Sequence, residues 1–276
     1  MAKTDASSDA PAGLLQEEQD QWRKLVSSLQ APCATKQSIL QCKGPAPKDA
    51  SCSPTCELAS EYIARLVSNN YPTDSIGDLY RLRFDSRAKV AFDYDSIAFR
   101  GNQDAEVTIL AFSDFECPFC ALTASLLEQL LEEYDGKIRI GLKHFPLPQH
   151  EMAIPAAKAA IAAQAQDKFW PMHDALFQNQ RELSEKSILA SAKKIGLDLK
   201  RFKKDWKSEQ TQALLDADLE QAQGLGLRGT PTLFINGRLF AEPFEALKPY
   251  LEEEFSVAAL ETTAANESAA KNTTKP

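Results

Sequence analysis

The sequence predicts an α/β fold: a mixed sheet interrupted by an inserted run of helices, preceded by a small all-α module that carries cysteines. Three observations predict it. Residues 106–145 read as strand, helix, strand, the βαβ pattern. Residues 150–225 are helical in pattern throughout. Near the C-terminus, "GTPTLFINGRLF" places two β-rich runs around Asn236-Gly237, a strong short-range hairpin signal.

Residues 1–13 are small and polar and are expected to be disordered. From Leu14 to Leu29, apolar Leu15, Trp22, Val26 and Leu29 recur at helical spacing among Glu, Gln and Lys, which predicts an amphipathic helix. A loop-rich stretch with Cys33, Cys42, Cys52 and Cys56 follows. The next helix is expected to start with Ser53 as N-cap and Pro54 at its first position, and "DSIGDLYRLRF" is a further short helix. Residues 14–90 therefore form the helical module.

After Asp95 the texture changes. "SIAFRG" and "EVTILAF" read as strands, the second apolar enough to lie inside a sheet. "ALTASLLEQLLEEY" then predicts a helix with Leu122, Leu126, Leu130 and Tyr134 on one face, and "KIRIGLKHF" another strand. The second domain is expected over 91–257, with its helical insertion at about 150–225 and "FEALKPYLEEEF" as closing helix. Residues 258–276, rich in Ala, Thr and Asn, read as a disordered tail.

The 276 residues are 43% hydrophobic, enough for one or two domains with real cores. A formal charge of −8 without any Lys/Arg-rich block argues against nucleic acid as a partner. No window approaches the roughly 18 consecutive apolar residues of a membrane helix. The N-terminus lacks the basic and apolar regions of a signal peptide, which taken literally means a cytosolic protein. Six cysteines point instead to an oxidising compartment. The expectation is a bacterial protein, periplasmic or otherwise extracytoplasmic, whose export signal is absent from this sequence and whose Met1 is an added start.

The chemistry centres on Cys117-Pro118-Phe119-Cys120, at the end of a buried strand and the start of a helix. Such a pair can hold half a zinc site, form an inert staple, or exchange disulfides. A zinc ribbon needs a second pair at loop knuckles rather than a position after a buried strand, which favours exchange. Cys117 falls at the helix N-terminus, where unpaired N–H groups and the helix dipole stabilise a thiolate. Pro118 fits the first helical turn. Cys120, nearly one turn later, is within reach of Cys117 and more enclosed, so Cys117 reacts and Cys120 resolves the mixed disulfide. Thr230-Pro231 stands just before the hairpin. A cis bond there would present backbone to a bound peptide, although an ordinary turn proline is the plainer reading.

The stretches "VTILAFSDFECPFC", "FPLPQHEMAIPAAKAAIAAQAQDKFWPMHDALF" and "GLRGTPTLFING" resemble the DsbA-like thiol–disulfide oxidoreductases over about residues 95–255. The resemblance implies a thioredoxin-like mixed sheet with an inserted helical domain. It implies Cys117 as nucleophile, Cys120 as resolving cysteine, Pro231 as cis-proline with Thr230 before it, and Pro118 and Phe119 as part of the substrate surface. It implies neither cofactor nor metal. Implied partners are cysteine-containing secreted proteins and a membrane quinone-linked thiol oxidase that re-oxidises the pair. Two departures bear on the chemistry. Phe119 stands where the best-known members carry a His that helps hold the thiolate, so a weaker oxidant is expected. Ala111 occupies the position, six before the first cysteine, where thioredoxin-like proteins often keep a buried acid.

Asp114 and Glu116 are nearer, and a surface-turn role is expected for both; facing the sulfur they would raise its pKa. His144, His150 and His173 lack metal-ligand spacing and read as structural or surface residues, and Phe169, Trp170 and Phe177 as helix core. The four N-terminal cysteines allow three pairings, and two structural disulfides are the favoured reading. A second redox pair at Cys52 and Cys56 is the sharper alternative, since residues 52–85 are faintly similar to the small helical domain of the CcmH cytochrome-maturation proteins; a four-cysteine zinc site is the third. For the whole chain, the expectation is an oxidase acting on secreted proteins. A reductase or isomerase competes with it, the more so if the N-terminal helices dimerise the protein, as does a non-catalytic peptide-binding module.

Overall fold

The computed structural model describes residues 10–33, 36–44 and 52–273. The expected disorder of residues 1–13 falls mainly on 1–9, outside the described residues. The chain divides into two compact units, Met1–Val90 with Arg238–Pro276, and Ala91–Gly237.

The first unit begins with four helices: α1 (Gln16–Ser28), α2 (Ile39–Lys43), α3 (Ser53–Ser68) and α4 (Thr73–Phe84). Their apolar stripes meet in a core where Trp22, Val26, Ile39, Ile63, Leu66 and Ile76 are fully buried. The Trp22 indole N–H donates to the Ser60 carbonyl at 3.1 Å, so the largest core side chain leaves no polar atom unmet. Helix α2 is only five residues long and starts with a reciprocal cap between Ser38 and Gln41. Pro54 lies in the first turn of α3, but Cys52 rather than Ser53 is the cap residue. Two disulfides, Cys33–Cys52 and Cys42–Cys56, tie the loop and α2 to the start of α3. Cys52 and Cys56 bond back to different upstream residues, so the alternative of a Cys52/Cys56 redox pair does not describe this structure.

The second unit holds most of a five-stranded mixed sheet ordered β1-β3-β2-β4-β5. Its strands are β1 (Phe99–Gly101), β2 (Val107–Ser113), β3 (Ile138–His144) and β4 (Thr232–Ile235), with α5 (Pro118–Glu133) crossing from β2 to the parallel β3. Every residue of β2 is buried, as its apolar run requires. Strand β1 pairs antiparallel with β3, placing Phe99 opposite Gly141. A Cβ at 141 would meet Phe99 Cε1 at 2.7 Å, so glycine there is what lets the Phe99 ring lie across the strand. Five helices make the insertion: α6 (Ala153–Gln164), α7 (Phe169–Gln178), α8 (Glu185–Lys194), α9 (Leu199–Trp206) and α10 (Glu209–Gly224). Seven alanines of α6 are buried, which lets neighbouring helices approach closely. Asn236 and Gly237 both have positive φ, 48° and 81°, the turn that the Asn-Gly pair favours.

The chain then returns to the first unit through β5 (Arg238–Phe240) and α11 (Leu247–Thr273). Residues 238–257, expected to belong to the domain over 91–257, thus also pack with the first unit. The reason is a set of ion pairs. The Arg65 guanidinium bridges Glu242 and Glu253 at 2.9 and 2.6 Å, and Tyr62 donates to Glu242. Arg83 pairs with Glu254 at 2.7 Å, and its guanidinium lies 3.5 Å from the Tyr250 ring centroid. Val257 joins the same core. The expected disordered tail is also corrected: α11 continues to Thr273, through a stretch whose alanines and glutamates are good helix formers.

Candidate active site

Strand β2 ends at Ser113 and α5 begins at Pro118, so the turn between them presents Cys117 as the cap residue of α5. Three hydrogen bonds fix this turn. The Cys117 N–H donates to the Asp114 carbonyl at 3.1 Å, and the Gln180 amide donates to the carbonyls of Phe115 and Cys117 at 2.8 and 2.9 Å. Strand β4 pairs antiparallel with β2, with Thr232 opposite Phe112. That register brings the preceding Thr230-Pro231, whose peptide bond is cis, up to the cysteines. The Cys117 thiol donates to the Thr230 carbonyl at 3.4 Å.

Both cysteines are free thiols and both are buried, Cys117 to 4% exposure and Cys120 to 1%. The order is the expected one, but Cys117 is far less open than a helix N-terminus alone implies. Burial pushes the Cys120 thiol up to about 12 despite neighbouring polar groups, among them the Asp114 N–H at 3.5 Å. Pro118 is exposed, and so are Phe119 at 67% and Leu122 at 68%. Of the expected helix face, Leu130 and Tyr134 are buried and Leu126 is half-buried, but Leu122 is not, and α5 turns Cys120, Thr123 and Leu127 inward in its place. Leu122 follows Phe119 by three residues, so the two form one apolar surface beside the cysteines.

Asp114 is a second correction. It is 2% exposed, not a surface-turn residue. Its carboxylate accepts from the Glu116 and Leu147 N–H groups at 2.8 Å each and meets His150 Nδ1 at 2.6 Å. The half-buried Glu116 accepts from the Met152 N–H. Both acids therefore tie the cysteine turn to the loop after β3 and neither turns its charge onto a sulfur. His173 is buried among Phe115, Trp170 and Phe177, with ring centroids 5.8, 4.9 and 4.9 Å away. His144 is buried next to Phe115 and Phe169. Beneath Cys120 lies a cavity of about 30 Å³, lined also by Ala111, Thr123, Ile140, His173 and Pro231.

The arrangement supplies a sulfur nucleophile at a helix start, a second thiol one turn behind it, and a backbone carbonyl and apolar rim where an extended peptide can dock. A thioredoxin family model matches residues 95–253, more than half of the chain. The chain belongs to the thioredoxin family. Within that family it is DsbA-like. It is 32% identical to "Probable disulfide bond formation protein D" of Bacillus anthracis over 174 residues, which cover 59% of this chain and 80% of that protein. It is 36% identical to "Na(+)/H(+) antiporter NhaA 3" of Salinispora tropica over 174 residues, 62% of this chain and 26% of the antiporter. The chain thus spans about a quarter of the length of that relative. Among solved structures, the thiol-disulfide exchange protein alpha-DsbA2 of Wolbachia pipientis is 25% identical with a TM-score of 0.51, over 65% of this chain and 94% of that one.

Of the residues the sequence singled out for this thioredoxin-family site, Cys117, Cys120, Thr230 and Pro231 lie together, with Pro118 and Phe119 on the open side. Cys33, Cys42, Cys52 and Cys56 lie in the first unit as disulfides. Gln180, Leu122 and Asp114 are the residues sequence reasoning missed or misplaced. Only Asp114 carried a signal, its position three residues before Cys117.

Proposed function

We propose that this protein is an extracytoplasmic thiol–disulfide oxidoreductase that works as an oxidase, passing the Cys117–Cys120 disulfide to cysteine-containing secreted proteins. The observation that carries the reading is the Cys117 sulfur held 3.4 Å from the Thr230 carbonyl, with Cys120 buried behind it. A substrate thiolate attacks Cys117 Sγ and displaces Cys120. A second substrate thiolate then attacks the sulfur bound to Cys117, which releases the reduced pair and an oxidised substrate. The oxidase direction is supported by the relative named for disulfide bond formation, which this chain covers over most of its length. Two further disulfides in the same chain support an oxidising compartment. A membrane quinone-linked thiol oxidase is the re-oxidant this reading calls for. Among the described residues, no helix is long and apolar enough to cross a membrane.

A reductase is the second reading, favoured by Phe119, which offers no positive charge at the position beside Cys117. The redox potential decides between the two. Equilibration with glutathione should give a potential above that of the glutathione pool, and the oxidised protein should form disulfides in a reduced, unfolded substrate. A potential near that of cytosolic thioredoxin, about −270 mV, would assign the reductase role instead.

A further inference from the structure

Resolving a mixed disulfide requires Cys120 to lose its proton, because the thiolate is the nucleophile. Burial raises this thiol to about 12, so at neutral pH it keeps the proton until a neighbour accepts it. Among the described residues, no carboxylate is hydrogen-bonded to it. Residue 111 is alanine, and the carboxylates of Asp114 and Glu116 are occupied by the N–H groups of Leu147 and Met152. What Cys120 does face is the cavity of about 30 Å³, whose lining also includes His173, Arg100 and Glu128. A cavity of that size holds a water molecule.

His173 is built as a base. Its Nδ1 lies 2.8 Å from Asp174 Oδ1, and an Nδ1–H donated to that carboxylate leaves Nε2 as the acceptor. Burial lowers its pKa, which keeps the ring neutral and its second nitrogen unprotonated. Asp174 is itself held by Arg100 at 2.6 Å, and Arg100 also pairs with Glu128. The charged or titratable groups around His173 are therefore Arg100 from β1, Glu128 from α5, His144 from β3 and its own neighbour Asp174. The Glu128 side chain is 50% exposed and bound to Arg100, which makes it the poorer acceptor.

We propose that His173 exchanges a proton with Cys120 through one water molecule in this cavity, and that Asp174 is the positioning residue that orients its ring. The inference rests on the proposed role of Cys120 as resolving cysteine. Cys120 gives its proton to the water as the water gives one to His173 Nε2. The Cys120 thiolate attacks Cys117 Sγ, the Cys117–Cys120 bond forms, and the bond from Cys117 to the substrate sulfur breaks. The bonding pair leaves on the substrate thiolate, so two electrons pass from the cysteine pair to the substrate disulfide, and His173 returns its proton to solvent. In the oxidase direction the same path protonates Cys120 as it leaves.

Stopped-flow reaction of the reduced protein with dithionitrobenzoate tests this. Attack by Cys117 releases one coloured thiolate, and resolution by Cys120 releases the second. In the wild type the second rate should rise with pH and level off once His173 is neutral. His173→Gln should slow the second release about 100-fold at neutral pH and leave it climbing about tenfold per pH unit. Asp174→Asn, which keeps the shape of the aromatic cluster, should also slow the second release and shift its midpoint, and it decides the matter if the His173 variant misfolds. The first release is the internal reference. An unchanged second phase in Asp174→Asn, or a slowed one in Glu128→Gln instead, would overturn the assignment to His173. Absence of the first release in the wild type would overturn the reading of Cys117 itself.

Discussion

Replacing Cys120 with alanine removes the only thiol placed to displace a substrate from Cys117, so Cys120→Ala should accumulate mixed disulfides with substrate proteins. Cys117→Ala should trap few, because the thiol left behind is the one with 1% exposure. Non-reducing gels of each variant, incubated with a substrate carrying disulfides, read the difference, and equal trapping by both would reverse the ordered mechanism. The residues behind this prediction were legible for a local reason. A CxxC after an apolar strand, and separately a proline before a hairpin, can each be read from a window of a few positions. Asp114 and Gln180 were not, because their roles depend on partners 33 to 65 residues away. An aspartate in a polar turn reads as surface until the Leu147 N–H and the His150 ring are known to close over it.

At the scale of elements, the tie between α4 and α11 is open to test. The Arg83 and Glu254 side chains are 1% and 3% exposed, so the pair is desolvated as well as close. Removing one member of such a pair strands the other charge, at a cost of about 3–5 kcal/mol. Glu254→Ala should lower the stability of the first unit by that order in urea unfolding followed by circular dichroism. Joint replacement by Met at 83 and Leu at 254 should recover most of it, and a single variant as stable as wild type would show that the pair contributes nothing. Element existence was readable where one pattern dominated, as in the apolar run of β2, the Asn236-Gly237 turn and the stripe of α1. It failed where tertiary contact chose between faces. Leucine spacing placed Leu122 inside, whereas the Cys120–Thr123–Leu127 line was the one that met the sheet. Helical propensity in the Ala-rich end of α11 lost out, in the sequence reading, to its polar composition.

For the molecule as a whole, buried histidines set an acid limit. Burial holds His144 down at about 4 against a usual 6.5, and lowers His173 as well. The unfolded chain then binds protons that the folded chain refuses. Stability from this source is complete above about pH 6.5 and is lost as the pH falls toward 4, a loss of roughly 3 kcal/mol for His144. Denaturant unfolding between pH 7 and 4 should show the decline, and His144→Gln should make it shallower, leaving the part due to His173. A wild-type profile as flat as the variant's would refute it. Neither histidine announced this in the sequence, where burial is invisible and a histidine at a strand end looks the same inside or out.

The turn at Asn236-Gly237 has a further consequence, for the order in which the molecule can be made. The first unit is written in two pieces, and all of Ala91–Gly237 is spelled out between them. A chain that reaches its oxidising compartment N-terminus first meets its segments in that order. The sheet and its helical insertion are complete before the acidic partners of Arg65 and Arg83 exist. Until α11 arrives, the N-terminal helices wait with two unanswered arginines, and the disulfides Cys33–Cys52 and Cys42–Cys56, whose four cysteines all come early, are what can hold them meanwhile.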